Sequence, residues 1–510
     1  LFAPGSATVR LDGTGTGNAD IASGARLSGI GRIGGDLILA GTFAPGNSVG
    51  AISVGGNATF AAGSVFDLEL DADGSGDTLS VMGTTTIAGG TVRITTLDPE
   101  LDYTDGSEYT FITSAGGLTG TFDSLSETSA FLDFVLGYDG NRAFVTVDVV
   151  RTFPDVAQTF NQRQASIGLA ALDRAEGSDS LAAYNAILLL DEAPARAAFD
   201  ASSGEIYPSL LQDLSLAAQA RGRSLIVRSH AAAGEGWGLW GGAMGRDGHV
   251  AGDGNAARSS FDGYGFELGM DYRGAGNAWA AGARVSWLKT NVQINDRASS
   301  ASGDGWALGG YARYGTGHAG FSASVAFDYA EASVDTARAM AFGTLSRTTR
   351  AALDTNSIAT SAELRYGLPV HSNWTVGPVA SLDYGRGKFD GFVENGADAL
   401  DLSSDGARSG ATRYGGGAFA SWQGEPGSFS LSAQYVTGKD RFADTVLTLD
   451  GAPTTPFTIR SPLRQADGAL LDLTAGFDLG RGWRLGADAS ALLASGNNDL
   501  RGRVSIGWQF

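Results

Sequence analysis

Three stretches of this 510-residue chain carry residue types suited to cofactor, metal or nucleophile chemistry. GIGRIG (Gly29 to Gly34) matches the GxGxxG spacing, but a dinucleotide loop needs a strand before it and a helix after it, and here a short β run follows with no βαβ unit. DADGSGD (Asp71 to Asp77) has oxygen ligands at calcium-loop spacing, yet the twelfth position is Met82 where a bidentate Glu is required, so a solvated turn is expected. His230, His249, His318 and His371 are scattered singly, and Ser48 in GNSVG sits in no GxSxG context, which indicates neither a metal site nor a Ser–His pair. No catalytic residue, cofactor or metal is therefore expected, and any enzyme would lie upstream of Leu1. The chain also lacks a GxxxxGK[ST] loop, so a nucleotide motor is not expected.

The remaining charged residues fall into a pattern of a different kind. In the last eleven residues, Leu500, Val504, Ile506, Trp508 and Phe510 alternate with Arg501, Arg503, Ser505 and Gln509. Successive side chains of a strand point to opposite faces, so one face is apolar and the other ionic. The same alternation sets Tyr264, Phe266, Leu268, Met270 and Tyr272 against Glu267 and Asp271, and Trp279, Val285 and Trp287 against Arg284. It also sets Leu364 and Tyr366 against Glu363 and Arg365, and Leu471, Leu473 and Phe477 against Asp472 and Asp478. A soluble antiparallel sandwich also alternates. Charge on the polar face and Trp, Tyr or Phe at the ends of the apolar face favour a membrane barrel with aromatic girdles.

The length calls for two or three domains. A net charge of −20 opposes a nucleic-acid partner, and residues 1 to 150 alone hold 18 acidic and 5 basic residues. Cys is absent, which suits passage through an oxidising compartment. No run of about 18 apolar residues marks a membrane helix, a test that a barrel escapes. The chain starts at Leu1 with neither Met nor a signal peptide and is expected to be a processed or excised piece.

Residues 1 to 150 read as short β runs separated by Gly-based turns, the pattern of a parallel β-solenoid, with Gly pairs at 34, 55 and 89 spaced irregularly. Residues 151 to 235 read as a helical linker. Pro154 opens one helical pattern, Ser178 caps a second, and a third at about 208–230 carries Leu211, Ala217, Ala218, Arg221, Arg223 and Arg228. From 236 to 510 twelve strands are expected, with tight turns near 274, 316, 370, 424 and 480 and long connections at 336–355, 389–410 and 448–466. Short turns on one rim and long loops on the other suit an outer-membrane barrel whose short side is periplasmic. The predicted fold is thus all-β: a 12-stranded antiparallel transmembrane β-barrel with a lumen helix, preceded by the linker and the solenoid. A lumen between those of eight- and sixteen-stranded barrels would take one helix about 10 Å wide. The helix arginines would meet lumen acids such as Glu267, Asp271, Glu363, Asp472, Asp478 or Asp488, or stay solvated. Inward Arg284, Arg313, Arg365, Arg484, Arg501 and Arg503 would pair with those acids across strands.

APGNSVGAISVGGNATFAAGS (Ala44 to Ser64), GDTLSVMGTTTIAGGTVRI (Gly76 to Ile94), FNQRQASIGLAALD (Phe160 to Asp173) and ASSGEIYPSLLQDLS (Ala201 to Ser215) resemble the carboxy-terminal portion of monomeric autotransporters, the type V secretion family. Val504, Ile506, Trp508 and Phe510 resemble that family's barrel-assembly signal, although Ser505 stands where the signal usually has Gly. The resemblance implies insertion of the barrel in the outer membrane of a Gram-negative bacterium and display of residues 1 to about 205 at the cell surface. It implies an autochaperone role for residues 35 to 150. The implied partners are outer-membrane lipid and lipopolysaccharide, the barrel-assembly machinery, periplasmic chaperones and the chain's own passenger, with no nucleic acid and a monomeric state. The paired Asn residues that mark cleavage in some relatives are missing from 208 to 236. A porin-like channel and a surface adhesin acting through the solenoid are the alternative readings.

Overall fold

The computed structural model describes residues 1–510 except 98–100, 128, 232–233, 317–318, 372 and 440. His318 of the sequence reading lies outside the described residues. The chain divides into two compact units, one of residues 1–158, 166–199 and 341–346, the other of residues 159–165, 200–340 and 347–510.

In the first unit three parallel sheets wind as a solenoid. Ala19, Leu37, Ala58, Thr85 and Leu118 occupy equivalent positions, so successive rungs take 18, 21, 27 and 33 residues. The Gly pairs at 34 and 55 lie at equivalent corners, followed by Gly83 and Gly116, whereas the pair at 89 stands at a different corner, which makes the Gly spacing irregular. Alternate side chains turn inward and stack in register: Ile21 on Leu39, Phe60 and Ile87, and Leu27 on Phe43, Phe66 and Val92. All eight are essentially buried, and burial of such apolar files stabilises stacked rungs. Leu132–Tyr138 and Arg142–Val149 then form an antiparallel hairpin that pairs with Glu108–Ser114 of the last rung. A parallel stack thereby ends against a strand of opposite direction.

The helical stretch contains α1 (Phe153–Val156), α2 (Phe160–Ala170), α3 (Asp179–Leu188), α4 (Glu192–Ser202) and α5 (Ile206–Ser229). Ser178 caps α3 as its residue type predicts, its hydroxyl accepting from Leu181 N at 3.1 Å. The helix expected to run on from Pro154 is broken between α1 and α2, and α4 is an addition to the three helices expected. α5 begins two residues before Pro208, placing the proline in the first turn, where its missing N–H has no intrahelical partner to lose.

Twelve strands close the barrel of the second unit: β1 (Gly236–Val250), β2 (Ser259–Arg273), β3 (Trp279–Ile294), β4 (Ser299–Gly315), β5 (Gly320–Phe342), β6 (Leu345–His371), β7 (Trp374–Val393), β8 (Leu402–Gly424), β9 (Gly427–Gly438), β10 (Gly468–Gly480), β11 (Trp483–Ala494) and β12 (Asn497–Gln509). Each pairs with its neighbours, and β1 pairs antiparallel with β12 from Gly238↔Gln509 to Val250↔Asn497. The long connections expected at 336–355 and 389–410 are largely strand. β6 alone has 27 residues, about 90 Å at ~3.4 Å each, against an apolar band about 25 Å tall. The extensions escape a lipid-based pattern because their outward positions, such as Ser333, Asp335 and Ala337, are polar or small, while Val334, Thr336 and Arg338 face inward. The ninth strand ends at Gly438, and the connection after it contains a hairpin of Asp444–Leu449 and Phe457–Arg460.

Candidate functional site

Period-2 alternation gives this barrel two unlike surfaces. Phe266, Leu268, Trp306, Leu308, Tyr314, Val504, Ile506, Trp508 and Phe510 are exposed on the outer face. Trp306 and Tyr314 bracket that face on β4, eight steps or about 27 Å apart along the strand. Near the short-turn rim Trp237 meets Tyr272 edge to face and Tyr272 meets Trp279 at a tilt, at 5.0 and 5.1 Å between ring centroids, and Trp508 stacks on Phe510 at 4.9 Å. These rings are placed as an interfacial girdle.

The inner face is ionic, and α5 fills it. The helix has no apolar stripe because it is surrounded on every side; Leu211, Ala217 and Ala218 are buried, and so are Gln212, Gln219 and Arg223. Its 24 residues span about 36 Å. Close approach demands small residues. At Gly385 of β7 a Cβ would stand 2.4 Å from Ser215 O, and at Gly222 of α5 it would stand 2.7 Å from Ser361 Oγ.

Arginines fasten the helix to the wall. Arg223, fully buried, donates through Nε and Nη2 to Asp472 Oδ2 at 3.0 and 2.6 Å, and its Nη2 lies 2.6 Å from Glu363 Oε2. Arg228 donates to Asp271 Oδ2 at 3.1 and 2.8 Å and lies over the Trp240 ring. Arg221 donates to Asp328 Oδ1 at 2.6 Å and to Ser357 Oγ at 2.6 Å. Wall arginines complete the network. Arg284 donates to Glu267 at 3.0 Å and Asp328 at 3.1 Å, Arg503 pairs with Glu267 and Asp488, Arg365 with Glu363, and Arg501 with Asp499. Groups of opposite sign and matched hydrogen-bonding shape offset one another's loss of water, which isolated buried charges cannot do.

The strand parity of the sequence thus places Glu267, Asp271, Arg284, Glu363, Arg365, Asp472, Asp488, Arg501 and Arg503 inside. Asp478 is exposed beside the tight turn and touches no helix arginine; it accepts from Gly480 N at 2.8 Å. Asp488 serves Arg503 rather than α5. Asp328, the acid that Arg221 uses, has the same inward parity as Ser324 and was readable from the alternation with Phe327 and Tyr329. A further fastening joins Asp213 of α5 to Arg246 of β1 at 2.8 Å. Tyr207 at the start of α5 donates to Glu394, which also pairs with Arg338 at 2.6 Å. Arg338 and Glu394 lie in segments read as loops, so no parity signalled them.

Nucleophile and calcium chemistry fare differently from the charge pattern. Ser324 Oγ lies 3.4 Å from His230 Nε2, a pairing the sequence spacing did not indicate, but Glu363 meets that same nitrogen at 2.9 Å. A base relay needs hydroxyl and acid on opposite ring nitrogens, so this is a structural cluster. In DADGSGD, Asp77 is buried and accepts from Gly50 N and Glu69 N, and burial pushes its carboxyl up to about 7. Among the described residues no group of three or more His, Cys, Asp and Glu is placed to hold a metal.

A family model, the autotransporter β-domain, matches residues 239–490. The carboxy-terminal half of this chain is an autotransporter β-domain. That domain is the outer-membrane translocator of its family. The chain is similar to an extracellular serine protease of Serratia marcescens, 23% identical over 573 residues covering 98% of this chain and 53% of that protein. It is similar to the esterase EstA of Pseudomonas aeruginosa, 26% identical over 224 residues covering 42% of this chain and 32% of the esterase. Among solved structures, the translocator domain of the autotransporter NalP from Neisseria meningitidis aligns with a TM-score of 0.46 at 19% identity, over 58% of this chain and 98% of that one. This chain spans about half the length of the protease and a third of the esterase.

Proposed function

We propose that the β-domain carries its own amino-terminal segment across the outer membrane and then keeps α5 in the lumen as a plug. The observation that supports this most strongly is the wholly buried Arg223, which ties the helix to β6 and β10 at once. A porin has no use for a helix so fastened. Residues 35 to 150 are the autochaperone: each rung stacked outside buries surface that the unfolded segment exposes, which biases movement outward without a nucleotide motor. The barrel-assembly machinery reads Val504, Ile506, Trp508 and Phe510, periplasmic chaperones hold the unfolded barrel, and lipopolysaccharide and phospholipid wet its girdle. The chain works as a monomer in transport and display rather than in catalysis.

Removing residues 206–229 from the chain is expected to raise single-channel conductance in planar bilayers several-fold. An unchanged current would overturn the plug. Deleting residues 35–150 while the barrel still inserts is expected to leave upstream passenger stalled or protease-sensitive; normal surface folding would overturn the autochaperone role.

A further inference from the structure

At the short-turn rim, beyond the last turn of α5, the lumen widens into a cavity of about 130 Å³. At ~30 Å³ per water molecule this is room for a few waters or one small polyatomic anion. Five arginines line it from four strands and the helix: Arg228, Arg273, Arg313, Arg365 and Arg484, with His230 beside them. The two lining carboxylates are already engaged. Asp271 accepts from Arg228 and from Tyr311 at 2.9 Å, and Asp488 pairs with Arg503, which is not in the lining. Arg365 has Glu363.

Among the described residues three guanidinium groups remain without a carboxylate of their own in hydrogen-bonding reach, Asp478 acting on Arg484 and Glu363 on Arg313 only from farther off. Arg273 is 2% exposed, its Nη2 is 4.0 Å from the occupied Asp271 Oδ2, and its Nε and Nη2 have no hydrogen-bond partner among the described residues. Arg313 Nε is buried without a partner among the described residues, and no ion pair there includes this side chain. Arg484 donates to Ser428 Oγ at 3.0 Å and to no carboxylate among the described residues. Like charges gathered away from water repel one another, and their donors are costly to leave unmade. Guanidinium forks match oxyanions, and forks arriving from several walls suit a tetrahedral, multiply charged anion better than a flat monovalent carboxylate.

We propose that this vestibule is an oxyanion site for a phosphate group, either free phosphate or a phospholipid headgroup at the periplasmic interface. The test uses the full chain in nonionic, phosphate-free detergent, titrated calorimetrically with inorganic phosphate and, separately, with phosphatidylglycerol mixed into the micelles. Saturable binding is expected, weakened about tenfold or more in Arg273→Gln and Arg313→Gln, as loss of a charge-assisted hydrogen bond requires. Arg10→Gln, a change at an exposed residue of the solenoid, should leave it unaltered. Phosphate should raise the melting temperature of the unsubstituted chain and not that of Arg313→Gln, whose unliganded barrel should melt higher because a repulsive charge is gone. A response to inorganic phosphate identifies the free anion, and a response to phosphatidylglycerol alone identifies the headgroup. If neither probe binds saturably, or if Arg273→Gln and Arg313→Gln bind as the unsubstituted chain does, the site is refuted.

Discussion

Arg223→Leu should cost the folded barrel about 3–5 kcal/mol, because it strands Asp472 and Glu363 in a lumen closed to water. Glu363 keeps Arg365 and His230, whereas Asp472 keeps the Ser490 hydroxyl at 2.7 Å as its one remaining side-chain hydrogen bond among the described residues, so Asp472 bears most of the loss. Adding Asp472→Asn to the single variant should therefore recover a large part of it, a coupling that two independent sites would not show. Thermal unfolding of the full chain in micelles, followed as loss of compact electrophoretic mobility, measures both variants. A loss below about 1 kcal/mol for the single variant, the range of exposed pairs, would mean that water reaches Arg223.

Gly385→Val should drive α5 from its seat. The added Cβ would stand 2.4 Å from Ser215 O and 2.8 Å from Gln219 N, and a helix backbone cannot rotate away as a side-chain tip can. Overpacking of this kind costs about 1–3 kcal/mol when the contact is side chain against side chain, and backbone contacts set the upper end. The expected readout is a single-channel current approaching that of the barrel lacking residues 206–229. Gly416→Val on β8, where a Cβ meets nothing within 4 Å, should leave the current unchanged. Equal currents in the two valine variants would show that the helix is not seated against β7.

The parts of this architecture that were legible in the sequence are those in which one physical contrast repeats. Lipid outside and ions inside impose a two-residue alternation, so Glu267, Asp271, Glu363 and Asp472 could be assigned to a face without knowing any contact. That contrast fades beyond the bilayer, where β5 and β6 have water on their outer side. Arg338, Glu394 and the clasp they make with Tyr207 went unread for that reason. Which acid each helix arginine takes depends on the rotation of α5 about its axis and on the stagger of the strands. Neither leaves a trace in local sequence, so Arg221 turned to Asp328 and left Asp478 and Asp488 to other roles. The solenoid was readable as a class from its Gly-punctuated β runs. Its steadily longer rungs emerge only from the strand register that aligns Ala19, Leu37, Ala58, Thr85 and Leu118, because Gly pairs from different corners look alike in sequence.

α5 satisfies its own peptide groups internally, and the twelve strands satisfy theirs around the ring, so few main-chain bonds tie rod to cylinder. The two parts are joined as a key is to a lock, by a code of side chains that can be rewritten without touching either framework. Cutting a second key at position 223 would mean inverting both wall acids it meets, Glu363 and Asp472, and the Arg365 that Glu363 also holds. A translocator recoded in this way would retain its own helix and release an unmatched one.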